Sequence, residues 1–231
     1  MAFAYSPKIV TDGLVFVVDA ANKKSYPGSG TTWSDLVGSN NGTLTNGPTF
    51  DSGDGGSIVF DGVNDYVSGT GLPIGGGSGT SQSFSVWFKA DSFTTPVFSN
   101  GLFFWNIYEG VGVMDDGEVY IQTRGDNSTG DFSPIPTATI NTWHNAAFNF
   151  NQGVSYEIWL DGISFGSVPT SDTSSAPNSS QIWSIGSRIV DGNVLEGYLN
   201  GNIATVQAYN RALSASEVLQ NYNALKGRFG L

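Results

Sequence analysis

The sequence predicts an all-β protein, a two-sheet antiparallel sandwich closed by one short C-terminal helix. Three observations carry that prediction. The 231 residues are 39% hydrophobic and 13% aromatic but only 13% charged, with 31 glycines, a composition suited to short strands joined by tight turns. Turn dipeptides recur along the whole chain: Asp-Gly at 12–13, 61–62, 116–117, 161–162 and 191–192, and Asn-Gly at 41–42, 46–47, 100–101 and 200–201. Both dipeptides suit hairpin turns whose two central residues take positive φ. Between them, apolar and polar residues alternate with the period of two that places successive side chains on opposite faces of a strand.

The elements follow in order. Residues 1–12 form an N-terminal arm and 13–231 a single domain, a length that all-β sandwiches reach as one unit. Strands are predicted at 14–19, 56–60 and 64–68. The stretch 69–82, rich in glycine and serine, reads as a loop, and no Lys-Ser/Thr follows its glycines as a phosphate cradle would need. In 83–89, Phe84, Val86 and Phe88 share one face and Ser83, Ser85, Trp87 and Lys89 the other. Further strands are expected at 102–108, 118–123 and 143–150. Val154, Tyr156, Ile158 and Leu160 alternate with Ser155, Glu157 and Trp159, then turn at Asp161-Gly162 and return through Ile163, Phe165 and Val168. After a loop at 169–180 come strands at 181–187, 195–199 and 202–209.

The helix is signalled by Ser214 with Glu217 three residues on, a capping box. Leu213 and Val218 supply its hydrophobic staple, Val218, Tyr222 and Leu225 its apolar stripe, and Gly227 its stop. So short a helix needs to dock its stripe on the sandwich to be stable.

Composition also bounds function. A net charge of −11 repels nucleic acid, and Lys23-Lys24 is the only adjacent basic pair. With no cysteine, disulfides, thiolate metal sites and thiol catalysis are excluded. No apolar run approaches the ~20 residues of a membrane-spanning helix. The first residues lack the basic and apolar regions of a signal peptide.

Residues 56–69, 83–90, 142–167 and 201–230 together resemble laminin-G-like, or concanavalin A-like, jelly-roll domains. GSIVFDGVNDYVSG (56–69) and SFSVWFKA (83–90) look like that family's early strands. TWHNAAFNFNQGVSYEIWLDGISFGS (142–167) looks like its Trp-His strand and Asp-Gly hairpin, and GNIATVQAYNRALSASEVLQNYNALKGRFG (201–230) like its closing strand and helix. The opening GLVFVVDAANKKSYPGSGTTWSDLVGSNNGTLTNGPTF (13–50) is similar to a version found in structural proteins of tailed bacteriophages. The resemblance implies a jelly roll with glycan or protein recognition at its loops or concave face. It does not imply one ligand. Many family members carry an acidic residue after the isoleucine of the last strand, whereas here Ala204 follows Ile203, which weakens any calcium expectation.

The chemistry-bearing residues point the same way. Retaining glycoside hydrolysis needs two carboxylates about 5–5.5 Å apart, yet Glu109, Glu118, Glu157, Glu196 and Glu217 are isolated in sequence. His144 is the one histidine, and no Gly-x-Ser-x-Gly elbow accompanies it. No catalytic residue is therefore assigned. Asp61, Asn64 and Asp65 fall in one turn and are the candidate ligands of a possible Ca2+; Asp115 and Asp116 form a second acidic turn. For glycan stacking the candidates are Trp105, Tyr108, Tyr120 and Arg124, with Trp87 and Trp159 on the polar parity of their strands.

The resulting expectation is a non-enzymatic phage virion surface protein, a capsid decoration, tail or fibre component. It is made in the host cytoplasm and contacts other virion proteins, further copies of itself and host-surface glycans, without nucleic acid or membrane insertion. Two alternatives stay open: a free carbohydrate-binding lectin-like protein, and a glycoside hydrolase of concanavalin A-like fold.

Overall fold

The computed structural model describes residues 7–74, 80–93, 99–106, 109–122, 135–151, 153–170 and 181–231. In chain order the strands are β1 (Leu14–Asp19), β2 (Thr32–Trp33), β3 (Gly42–Thr45), β4 (Thr49–Asp51), β5 (Ser57–Asp61) and β6 (Tyr66–Thr70). Then come β7 (Ser81–Ser92), β8 (Ser99–Asn106), β9 (Glu109–Met114), β10 (Val119–Gln122), β11 (His144–Asn151) and β12 (Ser155–Leu160). The last are β13 (Ile163–Pro169), β14 (Ile182–Ile185), β15 (Arg188–Val190), β16 (Val194–Glu196) and β17 (Asn200–Tyr209), followed by helix α1 (Ala215–Leu225).

Two large antiparallel sheets face each other. One runs β13-β12-β11-β7-β17-β5-β4, with β1 also paired to β17; the other runs β10-β9-β8-β14-β6-β3-β2. The chain passes from one sheet to the other between β1 and β2, β3 and β4, β5 and β6, β6 and β7, β7 and β8, β10 and β11, β13 and β14, and, by way of β15 and β16, between β14 and β17, as a jelly-roll sandwich requires. The predicted fold class is therefore the observed one. β15 and β16 pair only with each other and stand apart as a hairpin.

Alternation sorts the side chains as predicted. Phe84, Val86 and Phe88 of β7 and Tyr156, Ile158 and Leu160 of β12 enter the core between the sheets, with Phe16, Phe60, Phe103 and Trp183. Two glycines make room for that core: a Cβ on Gly69 would lie 2.3 Å from the Trp183 ring, and one on Gly42 2.5 Å from Val67. Not every Asn-Gly is a turn, because Asn100-Gly101 lies inside β8 and Asn200-Gly201 opens β17. At Gly101 the missing side chain admits the Ser187 backbone, which a Cβ would meet at 2.2 Å. The Asp161-Gly162 turn behaves as expected, with φ of 53° and 76°.

Other departures have local causes. Val154 and Ile163 are exposed, since Val154 sits in the turn before β12 and Ile163 begins the edge strand β13. The loop predicted at 69–82 is shorter, because Gly69 and Thr70 finish β6 and β7 starts at Ser81.

The outer face of the eight-stranded sheet is roofed by α1 and the turn that follows it. Trp87 and Trp159, considered as exposed rings, are both buried there. Trp87 stacks with Phe229 at 4.3 Å and with Tyr222 at 5.6 Å, and Trp159 packs with Leu213 and Val218. Ala204 lies in the same cluster as Trp87 and Phe229, so an acidic side chain at that position would be buried under the roof. The capping box forms as predicted. Gly227 does not stop the helix, however: a 3-10 turn (Lys226–Phe229) continues to Gly230, where φ is 75°. That turn is pinned by Arg228, which donates to Asp19 Oδ1 at 2.8 Å and to the Asp54 carbonyl at 2.7 Å.

A polar seam completes the roof. Ser83 Oγ donates to Asn149 Oδ1 at 2.5 Å, and Asn149 Nδ2 donates to the Leu213 carbonyl at 2.7 Å. From the other side, residues of the N-terminal arm dock on α1, with the Val10 amide donating to Asn221 Oδ1 at 2.8 Å.

Two outcomes follow. Trp87→Ala removes the ring under the roof and should lower stability by about 3–5 kcal/mol, measured by urea unfolding. Arg211 hydrogen bonds, and then the Ser214 backbone amide, lower the Glu217 carboxyl to about 2. A depressed carboxylate stabilises the fold above its unfolded value of about 4.3 and loses that contribution as pH falls through the folded value. Glu217→Gln should therefore melt at lower temperature than wild type at pH 7, with the difference closing between about pH 5 and about 2.

Candidate functional site

With one sheet roofed, the outer face of the seven-stranded sheet is the other broad surface, and it is divided in two. Over β8, β9 and β10 sits the β15–β16 hairpin, where Ile189 and Leu195 pack with Phe104 and Tyr120. Arg188 is buried in that hairpin, Nη1 donating to Glu196 Oε1 and Nη2 to Gln122 Oε1, each at 3.2 Å. The remaining half, made by β3, β6 and β14, carries a groove of about 420 Å3.

The groove follows from strand register. Thr43 on β3 stands opposite Ser68 on β6, and Thr70 stands opposite Ile182 on β14. Because side chains alternate, Ser68 and Thr70 face outward while Val67 points into the core. Ser39, Asn40 and Asn41 form one wall, and Thr43, Ser68, Gly69, Thr70 and Ile182 the rest. Hydroxyls and amides dominate the lining, and no lining residue carries a charge.

The wall is held from below by Asp35, which is buried. Its Oδ1 accepts the Val17 amide at 3.1 Å and the Val37 amide at 3.0 Å. Oδ2 accepts the Gly38 amide at 3.1 Å and both the backbone and side-chain nitrogens of Asn40 at 3.3 and 3.4 Å. In return the Asp35 amide donates to Asn41 Oδ1 at 3.0 Å. One carboxylate thus fixes β1 to the 35–41 segment and positions the two asparagines.

Two residues along β6 from Ser68, on the same face, Tyr66 pairs with Tyr198 at 6.5 Å between ring centroids. Both rings are half-buried. The Tyr198 hydroxyl donates to the Leu195 carbonyl at 2.9 Å, so its ring is fixed against the hairpin. Burial first, then Tyr66 and Glu196, push the Tyr198 phenol up from its ordinary value, and it stays neutral. A polar groove can hydrogen-bond the hydroxyls of a sugar, and a half-exposed ring further along the same strand face can stack against a C–H face of a ligand long enough to reach it.

The predicted glycan residues are placed differently. Trp105 faces the core, its ring stacked on Phe84 at 4.0 Å, and only 2% of it is exposed. Tyr120 is on the outer face but lies under Ile189, 4% exposed. Neither ring offers a stacking face. Tyr108 and Arg124 lie outside the described residues. Tyr66 was the ring that sequence reading passed over. Its signal was present, since Val67 is apolar and Tyr66 and Ser68 therefore share the opposite face. Asn40, Asn41 and Thr43 carry no such signal, because only the fold brings the 35–41 segment beside β6.

Asp61, Asn64 and Asp65 do share the β5–β6 turn, where the two carboxylates accept its backbone amides and Asn64 donates one of them. Asp61 Oδ1 takes the Val63 and Asn64 amides at 2.8 and 3.3 Å, and Asp65 Oδ2 takes the Asp61 amide at 3.2 Å. Among the described residues no three His, Asp or Glu side chains gather as a metal cluster. His144 Nδ1 lies 2.7 Å from Asp161 Oδ2, while its Nε2 accepts the Thr139 amide at 3.0 Å, which leaves Nδ1 to donate to the carboxylate. This histidine ties β11 to the β12–β13 turn. A second groove, of about 600 Å3, lies across the molecule beside the start of α1, where Glu157 Oε2 accepts Asn149 Nδ2 at 2.8 Å.

Comparison with known proteins agrees with this architecture. Residues 60–219 match the family described as Concanavalin A-like lectin/glucanases superfamily. No curated protein sequence matches the chain. Among solved structures, domain 4 of AbnA, a GH43 extracellular arabinanase from Geobacillus stearothermophilus, in complex with arabinotriose, is similar with a TM-score of 0.63 and 16% identity, over 90% of this chain and 98% of that one. Trypanosoma rangeli sialidase in complex with sialic acid is similar with a TM-score of 0.66 and 12% identity, over 97% of this chain but only 36% of the sialidase. The binding domain of botulinum neurotoxin DC in complex with SialylT gives 0.65 and 12%, over 93% and 52%. At these identities the likeness is one of fold.

Asp35→Ala should free the wall. Its loss leaves buried amides without their charged acceptor, costing roughly 2–3 kcal/mol, and hydrogen exchange at Val37, Gly38 and Asn40 should accelerate before exchange in β17 does.

Proposed function

We propose that this chain, which belongs to the concanavalin A-like lectin/glucanases superfamily, is a non-catalytic module that binds glycans in the groove over β3, β6 and β14. The observation that carries the reading is the groove's lining, hydroxyls and amides with no carboxylate among them; outside the lining, Tyr66 follows on the same face of β6 and pairs with Tyr198. Matched solved structures hold arabinotriose, sialic acid or SialylT, which makes carbohydrate a reasonable ligand class for a domain of this fold.

Display on the particle of a tailed phage belongs to the same proposal and rests on the resemblance of residues 13–50. Repeated copies on a particle would multiply a weak single-site affinity into avidity. Other virion proteins and further copies of this chain are then its structural partners.

Hydrolysis is the competing reading, and one feature favours it. Burial, then the neighbouring Asp61 charge, raise the Asp65 carboxyl, as a general acid would need. That pair, however, is engaged in the β5–β6 turn, and the Asp61 amide hydrogen bond works against the rise.

Glycan-array screening followed by titration calorimetry tests the assignment. Thr70→Trp should fill the groove and abolish binding with the fold intact. Tyr66→Ala should weaken it by roughly tenfold, about 1.4 kcal/mol. Reducing-sugar release that disappears in Asp65→Asn would replace binding with hydrolysis. Co-purification with phage particles checks the placement on a virion.

A further inference from the structure

The groove's lining is neutral, and the charged group bonded to it is a carboxylate. The chain carries 20 acidic against 9 basic residues, and the described basic ones are distributed unevenly. Most of them gather on the roofed side. Arg211 pairs with Glu217 at 2.6 Å and Asp12 at 2.9 Å, and Arg228 with Asp19 at 2.8 Å. Lys226 lies over the Tyr222 ring at 5.4 Å, and Lys89 over the Trp143 ring at 5.5 Å. Lys8 sits where its carbonyl accepts Gln220 of α1. Lys23 and Lys24 follow β1, and Lys23 lines a separate small apolar pocket with Tyr26 and Phe50.

In the hairpin that covers the other half of the groove's sheet, the described cation is Arg188, which is buried and bonded to Glu196 and Gln122. The formal charge bonded to a lining residue is negative, the Asp35 carboxylate accepting from Asn40. A carboxylate or sulfate on a bound sugar would therefore enter a groove whose described lining offers no cation to receive it. It would also meet a negative field from the wall and from the net charge of −11.

We propose that the groove selects neutral saccharides and rejects sialylated, sulfated and uronic-acid ones. The proposal rests on the reading of the groove as the glycan site and adds the ligand class to it. Discrimination comes from the missing counter-ion and from like-charge repulsion, so it depends on ionic strength. Thr70 is exposed on the groove, and a lysine there would reverse the sign locally without disturbing the core.

The test is an array carrying neutral oligosaccharides beside their sialylated, sulfated and uronic-acid counterparts, read at low and high salt for wild type, Thr70→Lys and Thr70→Gln. Thermal melts confirm that the variants fold. Acidic counterparts should bind at least roughly tenfold more weakly than neutral ones at about 0.05 M salt, and the gap should narrow near 0.5 M. Thr70→Lys should narrow it at low salt, and Thr70→Gln should not. Acidic glycans bound as tightly as neutral ones, and lost in Thr70→Trp, would overturn the charge selection and leave the groove a glycan site. Failure of both classes to bind would overturn the glycan reading and this inference together.

Discussion

The docking of the C-terminal segment on the eight-stranded sheet determines which surface of this sandwich is left to meet a ligand. Trp87 projects from the outer face of β7, where an unroofed sheet would expose a large ring. Phe229 and Tyr222 stack on it instead, with interplanar angles of 19° and 6°. Burying three rings against each other offsets the ordering of a helix that is too short to be stable alone. The Ser83–Asn149–Leu213 seam then fixes the helix start in register, because each buried polar atom finds its partner only there.

Once that face is closed, the opposite sheet carries the groove proposed as the recognition surface, and two smaller devices shape it. The β15–β16 hairpin covers the part of the sheet where Phe104 and Tyr120 would otherwise be wet. Asp35 gathers four backbone amides and holds the 35–41 segment upright beside β6. Between hairpin and wall lies a strip of threonines, serines and asparagines on a rigid sheet. Such a strip holds polar groups in fixed positions at little ordering cost, which is what a weakly hydrophobic ligand needs.

The fold was largely legible in the sequence, and the site was not. Period-two alternation placed Phe84, Val86, Phe88, Tyr156 and Ile158 correctly, because a strand's facing is a local property. The capping box at Ser214 and Glu217 was equally local and equally visible. Which outward ring stays wet is a different question, since it depends on what lies above it. Trp159 and Tyr120 point outward as their parity demands and are buried by α1 and by the hairpin, elements distant in sequence. Trp105 fell on the core side after the register shifts in β8, where bulges break strict alternation. The short strands β2, β3 and β4 gave no alternating run long enough to notice, and β3 is one of the three that build the groove.

The central claim is the location of ligand contact. Backbone amide chemical shifts recorded by NMR during titration with a neutral oligosaccharide such as arabinotriose locate it residue by residue. Saturable shifts are expected at Asn40, Asn41, Thr43, Ser68 and Thr70, extending to Tyr66 and Tyr198. Shifts centred instead on Glu157, Ser164 and Ser214, beside the helix on the opposite sheet, would contradict it.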